Sequence, residues 1–419
     1  MTTALPDLNL TKEKLRYRIA GFFLAFCILF AGSHVLLSEI CLVLFICFCL
    51  QKIKFHPILG FLGVICLIGL ILSSLELDRG FNELLFILLL LLLPSFNLQK
   101  DQNFIDGVLK GITVVLSISA TYGFFLLSLK VFLPSFSHIF EPCIYGMERN
   151  LGTCGIHPYI ISGFPLHRLY GLASESSTFG ITHVLLLSLL LSTKRITVSS
   201  RFVGIQIASI LATVSITAIA LLIVMFGLLA IRNKVLLGKH QRLFTGRNLK
   251  ILLGVFLGLI ILAVSVEGFT NVIFLRTFVR ILELFSGEDT SAFMRSSATW
   301  GPVLDFFNNG SGTEIWFGIG VNEYLYFLEN FSAITFANGK LVFFTGQRGS
   351  ILSTLLICYG LIPVIVFILM MIKIDEYKFS AVFFTSLGFL FFHTSALSFS
   401  TIAIIYVIGI NKKRLNNVK

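Results

Sequence analysis

The sequence predicts an all-α, polytopic integral membrane protein, and three observations carry that prediction. Hydrophobic residues make up 56% of the 419-residue chain. Charged residues make up 13%, about half the fraction usual in a soluble domain. Apolar runs recur along the whole length, many reaching the roughly 17–25 residues a helix needs to cross a bilayer. The mean hydropathy, +0.93, agrees.

Taken in order, the runs predict about twelve spans in a single membrane domain, 1–419. Ile19–Leu50 is too long for one span and has Gly32-Ser33-His34 at its centre, so it reads as a helical hairpin. It is also too long for the roughly 7–15-residue apolar region of a signal peptide, and no small-residue cleavage pattern follows, so the N-terminus is expected to be retained. Spans are expected near Pro57–Leu75, Glu83–Leu98 and Gly111–Leu129. A polar segment, 134–176, comes next, then a span over Ser177–Thr193 closed by Lys194 and Arg195.

Phe202–Ile231 is again overlong. A single span there would put "RNKVLLGKHQRLFTGRNLK", which has six Lys/Arg and no Asp/Glu, outside. Basic loops favour the cytoplasmic side, so two short spans joined near Ser215-Ile216-Thr217 are expected. Ile251–Ser265 then leads to the longest polar segment, 268–350, where acidic residues outnumber basic ones. The chain returns through Ile351–Ile372, and a final hairpin, Phe379–Ile410, leaves "NKKRLNNVK" inside. Both termini are then cytoplasmic, and 134–176 and 268–350 are two large extracytoplasmic loops.

The formal net charge of +11 is read as cytoplasmic loop charge. No basic soluble domain or aromatic-basic motif points to nucleic acid. Cys27, Cys41, Cys47, Cys49, Cys66 and Cys358 lie in apolar runs and read as small buried hydrophobes. Cys143 and Cys154 lie in the first polar segment. If that segment is outside, they face an oxidising compartment and are expected to bridge, closing a loop of about ten residues. No cysteine spacing resembles a zinc site.

"HRLYGLASESSTF", His167 to Phe179, stands directly before an apolar span. Polar groups at such a depth are costly unless something satisfies them. Arg168-x-x-Gly171-x-x-x-Glu175-x-Ser177 resembles the "R-x-x-G-x-x-x-E-P-S" signature of Wzy-type polymerases. These enzymes join lipid-linked polysaccharide repeat units and share a superfamily with the O-antigen ligases. "LATVSITAIALLIVMFGLLA" is similar to the family's short hairpin, with Ile216 in place of a usual arginine. "FGIGVNEY" resembles the "G-x-G" of the second large loop. "GSILSTLLICYGLIPVIVFIL" resembles the re-entry span, with Gly360 kept and Pro363 where a second glycine is common. Ser176 replaces the proline of "EPS". Gln347-Arg348 stand where the ligases carry a histidine, which tilts the resemblance toward polymerase.

The resemblance implies a GT-C-like bundle in the bacterial inner membrane and a glycosyltransferase with an undecaprenyl-pyrophosphate-linked donor. It implies no metal or other cofactor, and as partners membrane lipid and a chain-length-regulator membrane protein. A pyrophosphate leaving group gains charge as the glycosidic bond breaks, and fixed guanidinium groups stabilise that charge. Arg168 is the first candidate clamp, the alternative being an interfacial arginine reaching toward head groups. Glu175 could pair with it or accept the acceptor's proton, or simply favour the start of a helix. Ser177 and its neighbours Ser174, Ser176 and Thr178 could cap that helix or hold sugar hydroxyls.

Arg295 stands where the family's second loop often has a functional arginine. Arg276 and Arg280, with Glu283, fall on one face of an otherwise apolar helix expected to lie in the interface and could contact phosphate. Trp300 and Trp316 could stack on sugars or anchor at the interface. Arg348, His157, His167 and Lys340 lie in outer loops, and Arg348 joins the substrate-binding set. Glu76-x-Asp78 is too small a cluster to assign a metal. His34, His183 and His393 are expected to be hydrogen-bonded within the bundle. The alternatives are an O-antigen ligase, or a flippase or transporter of lipid-linked oligosaccharide. The two halves share no sequence repeat, and 268–350 exceeds what crossing a bilayer requires, which favours the enzyme.

Overall fold

The computed structural model describes residues 8–30, 35–49, 102–133, 159–161, 164–166, 169–173, 176–193, 198–236, 297–320, 332–337, 340–345, 350–360 and 381–392, with a few single positions beside them. The framework is helical. Helix α1 (Leu8–Phe30) and helix α2 (Val35–Cys49) cover the first overlong run on either side of residues 31–34. Helix α3 (Gln102–Phe132) starts well before the expected Gly111. Hydropathy marks only its apolar part; the first turns are held by contact with α1. A Cβ at Gly107 would stand 2.4 Å from Tyr17 Cβ, and one at Gly111 2.2 Å from the Arg18 carbonyl oxygen. Gly107-x-x-x-Gly111 thus lets two helix backbones touch, as small residues do in membrane bundles.

Helix α4 (Ser176–Thr193) starts within one residue of the expected span. The second overlong run divides into α5 (Ser200–Ala212) and α6 (Ile216–Leu236). The break falls at Thr213-Val214-Ser215: the Thr213 hydroxyl accepts from the Ser215 N–H at 3.2 Å, and Ser215 Oγ accepts from the Ala218 N–H at 3.4 Å. Further on come α7 (Ser297–Asn309), α8 (Gly312–Phe317), α9 (Ile351–Tyr359) and α10 (Ala381–Phe392).

Two expectations need correction. The re-entry span is not one helix from Ile351: α9 stops at Tyr359, and Gly360 follows in the left-handed region, φ 77°. The all-α expectation holds for the framework, to which two short antiparallel hairpins are added, one in each long polar segment. Strands β1 (Tyr159–Ile161) and β2 (Phe164–Leu166) pair with Ile161 opposite Phe164, and β3 (Ser332–Ala337) and β4 (Lys340–Thr345) pair with Ala337 opposite Lys340. Lastly, Cys27, Cys41 and Cys358 are buried as expected, but Cys47 is exposed on α2.

Helix α4 is the centre of the bundle. It packs against α1, α3, α5, α6 and α10. Leu185, Leu186, Leu187 and Leu189 are all fully buried, so every side of the helix meets protein. Among the described residues, one helix, α3, is long and apolar enough to cross a membrane; α4, α5, α10 and part of α6 are shorter apolar helices. Only 39% of the most apolar stretch of α3 is buried. Val114, Ile118 and Phe125 face outward, 44–50% exposed. A core helix of a soluble protein would hide such residues, and a lipid-facing helix would display them.

Candidate functional site

The segment entering α4 is fixed by contacts with three helices. The Leu169 N–H donates to the Ala212 carbonyl at 3.0 Å, satisfying an acceptor that the end of α5 leaves free. The Ala173 N–H closes a turn onto the Tyr170 carbonyl at 3.0 Å. Leu169, Ala173 and Phe179 form a small fully buried cluster, with Phe124, Leu127 and Ala212 packed on it. Gly171 sits inside the turn with φ 53°, a conformation that costs an L-residue roughly 1–2 kcal/mol. There is also no room for a side chain: a Cβ would stand 2.4 Å from Phe179 Cε2 and 3.0 Å from the Ser119 carbonyl oxygen. The glycine of the R-x-x-G pattern is therefore demanded twice, by conformation and by packing.

Below the turn lies a buried polar network that joins three helices. His183 Nδ1 is 2.8 Å from Gln206 Oε1, and Nε2 is 3.1 Å from Ser119 Oγ. Gln206 Nε2 donates to the Leu116 carbonyl at 3.2 Å. Since the amide oxygen only accepts, Nδ1 carries the proton, and Nε2 accepts from the serine hydroxyl. The imidazole stacks on Phe179 with ring centroids 3.8 Å apart. Phe179 in turn meets the Gly171 turn, so the network supports the segment from beneath. The expectation that His183 is hydrogen-bonded inside the bundle agrees with this geometry.

At the far end of α3, Lys130 lies over the Tyr170 ring, its Nζ 4.7 Å from the centroid. Both residues are buried, at 8% and 4% exposure. Ser176 and Ser177 are buried in the first turn of α4, and the Ser176 hydroxyl has no hydrogen-bond partner. Ser176 therefore does not cap the helix it begins.

A second constellation joins the "FGIG" segment to the re-entry helix. A Cβ at Gly318 would stand 2.2 Å from the Cys358 carbonyl oxygen, and one at Gly360 2.5 Å from the Trp316 carbonyl carbon. The Ile319 N–H donates to the Ile357 carbonyl at 3.0 Å. The two glycines, one from each motif, interlock backbone against backbone. Trp300 packs its ring against Phe391 of α10, with centroids 5.1 Å apart, whereas Trp316 is 49% exposed.

Of the residues singled out from sequence, Ser177 and Trp300 are among those described. Arg168 and Glu175 lie outside the described residues, on either side of Leu169–Ala173. Arg276, Arg280, Arg295, Arg348, Cys143 and Cys154 also lie outside them. Sequence reasoning missed Lys130, Ser119 and Gln206. None of the three stands in a motif, and only convergence from α3, α4 and α5 brings Ser119 and Gln206 together on His183. No protein-family model matches the chain, and no curated protein matches it.

Proposed function

We propose that the protein is a polysaccharide polymerase of the bacterial inner membrane, joining undecaprenyl-pyrophosphate-linked oligosaccharide units into O-antigen or a related surface polysaccharide at the periplasmic face. The observation that carries this reading is the Arg168–Ser177 segment. Its glycine occupies a left-handed, fully packed turn, and it leads into α4, which is buried along nearly its whole length. Such a turn can hold flanking groups at a fixed depth beside lipid, as a reaction on a lipid-linked pyrophosphate demands. The apolar outer face of α3 supports the membrane setting. A bundle of about twelve spans with both termini cytoplasmic belongs to the same reading.

In this reaction the bond between the donor glycan's anomeric carbon and its pyrophosphate oxygen breaks. The bonding pair leaves with undecaprenyl pyrophosphate. A sugar hydroxyl of the next lipid-linked unit forms the new glycosidic bond and loses its proton. Arg168 stabilises the charge growing on the leaving pyrophosphate, seconded by Arg295 from the long polar segment. Glu175 takes the acceptor's proton or orients Arg168. Arg276, Arg280 and Arg348 contact phosphate, and Ser177 and Trp300 line the glycan path. The mechanism requires no metal.

The envelope polysaccharide of a deletion strain tests the function. Single-repeat caps on lipid A are the expected outcome. Lipid-linked polymer that never reaches lipid A would instead identify a ligase, and unflipped precursor on the inner leaflet a flippase.

A further inference from the structure

The first turns of α1 carry more charge than the fold uses. Two of the charged residues have clear structural work. The Glu13 carboxylate accepts from the Tyr17 hydroxyl, and Arg16 Nε donates to the Phe48 carbonyl at the end of α2, at 3.0 Å. Lys14 and Arg18 are exposed, as is Lys110 on α3, and none of the three makes a hydrogen bond or ion pair among the described residues. Lys14 and Arg18 are also four positions apart on one helix, a like-charge spacing that weakens it.

The packing of α1 on α3 brings these cations together. The two helices run parallel: Gly107 meets Tyr17, and Gly111 meets the Arg18 carbonyl and the Gly21 backbone. Arg18 therefore lies against the residue that follows Lys110. The Arg16–Phe48 bond and the Ser38 hydroxyl on the Cys27 carbonyl, 2.7 Å, place α2 on one flank of α1. With about 3.6 residues per turn, Lys14 and Arg18 emerge on the other flank, and Lys110 leaves α3 on that same side. Leu15, 57% exposed, stands beside the cations. One and two turns beyond Lys110 the same face of α3 displays Val114 and Ile118. One flank of the seam is thus basic at the helix starts and apolar further along, the order in which an anionic amphiphile would meet it.

We propose that this flank of the α1–α3 seam binds an anionic phospholipid, with its phosphate on Arg18, Lys110 and Lys14 and its acyl chains along Val114 and Ile118. The guanidinium offers a planar fork to the phosphate, and the two ammonium groups add point charges. Asp106, one turn before Lys110, sets one negative charge against three positive ones. On the proposed topology the lipid belongs to the cytoplasmic leaflet. The inference uses the membrane setting but not the polymerase reaction, so the two can fail separately.

Native mass spectrometry of the full-length protein in detergent, titrated with phosphatidylglycerol or phosphatidylcholine, tests the site. Phosphatidylglycerol should bind in preference, and added salt should weaken it. Arg18→Gln and Lys110→Gln should each lower its affinity about 5-fold, and Lys110→Arg should keep it. Lys12→Gln is the control: Lys12 is exposed on the side of α1 turned away from α3, and its loss should change nothing. An equal fall with Lys12→Gln would mean diffuse attraction and overturn the proposal. Equal binding of phosphatidylcholine would overturn it too, as would inorganic phosphate competing as well as the lipid does. Should the variants fail to insert, photoreactive phosphatidylglycerol decides on the unmodified chain. It should label Lys14–Arg18 or Lys110–Ile118, and labelling confined to other segments refutes the assignment.

Discussion

At the scale of single residues, Gly171 shows how a degenerate motif can encode a physical requirement. Replacing it with alanine combines the left-handed φ cost, about 1–2 kcal/mol, with displacement of Phe179 from its place on His183. Gly171→Ala is expected to lower thermal stability in detergent and to abolish polymer formation. Gly227→Ala is the matched control, since a Cβ there meets nothing within 4 Å in α6 and should stabilise by roughly 0.5–1 kcal/mol. Equal effects of the two on polymer would remove the special status of the turn. Arg168→Lys keeps the charge and loses the planar fork, so most activity should disappear; Arg168→Ala should lose about 10²–10³ in rate. Glu175→Gln separates base from orienting partner, since the amide keeps shape but cannot take a proton: near-complete loss marks a base, mild loss an orienting role. Properly inserted Arg168→Ala protein that makes normal polymer would move the clamp to Arg295. The glycine was legible in the sequence as part of a pattern. Its reason was not, because it depends on Phe179 and on Ser119, which is distant in sequence.

At the scale of elements, the α5–α6 break was legible because its run exceeded a bilayer's length, an argument that needs no tertiary knowledge. The β3–β4 hairpin was equally legible, since Asn338-Gly339 between two apolar runs is a strong two-residue turn signal, but length and hydropathy pass over it. The interruption at Gly360 was hidden, because it is imposed by the approach of the Trp316–Gly318 backbone. The α5–α6 break offers a test. Val214 holds φ 50°, which is costly for a β-branched residue. Val214→Gly removes about 1–2 kcal/mol of strain and adds roughly 0.4–1 kcal/mol of unfolded-state entropy, so a net gain of up to about 1.6 kcal/mol is expected in thermal unfolding. A lower melting temperature would mean that the valine's packing outweighs its strain. The α3–α4–α5 network offers another. Gln206→Leu removes the acceptor of the His183 Nδ1–H and should cost about 0.6–2 kcal/mol, within the range for interhelical hydrogen bonds in membranes. No loss of stability would mean that the network holds nothing together.

At the scale of the whole molecule, the contacts give the bundle two unlike ends. The end of α3, the start of α4 and the end of α5 meet at one of them, through Lys130 on Tyr170 and the Leu169 N–H on the Ala212 carbonyl. The last residues of α4 and α6, Thr193 and Leu236, lie at the opposite end, and in the sequence Lys194-Arg195 and the basic run 232–250 adjoin them. On the proposed function, the positive-inside rule would turn these basic sequences to the cytoplasm and the Leu169–Ala173 turn to the side where a lipid-linked donor is met after translocation. Cysteine labelling tests this in intact cells, in a chain whose native cysteines are replaced. Phe132→Cys, at 78% exposure beside the site, should react with a membrane-impermeant maleimide. Lys239→Cys should react only after the cells are permeabilised. The reverse pattern would turn the bundle over, put Arg168 on the cytoplasmic side, and leave a periplasmic polymerase without its site. Reaction at both positions in intact cells would mean that one of the two ends is not sealed by the membrane, and α4 could then not be a buried span.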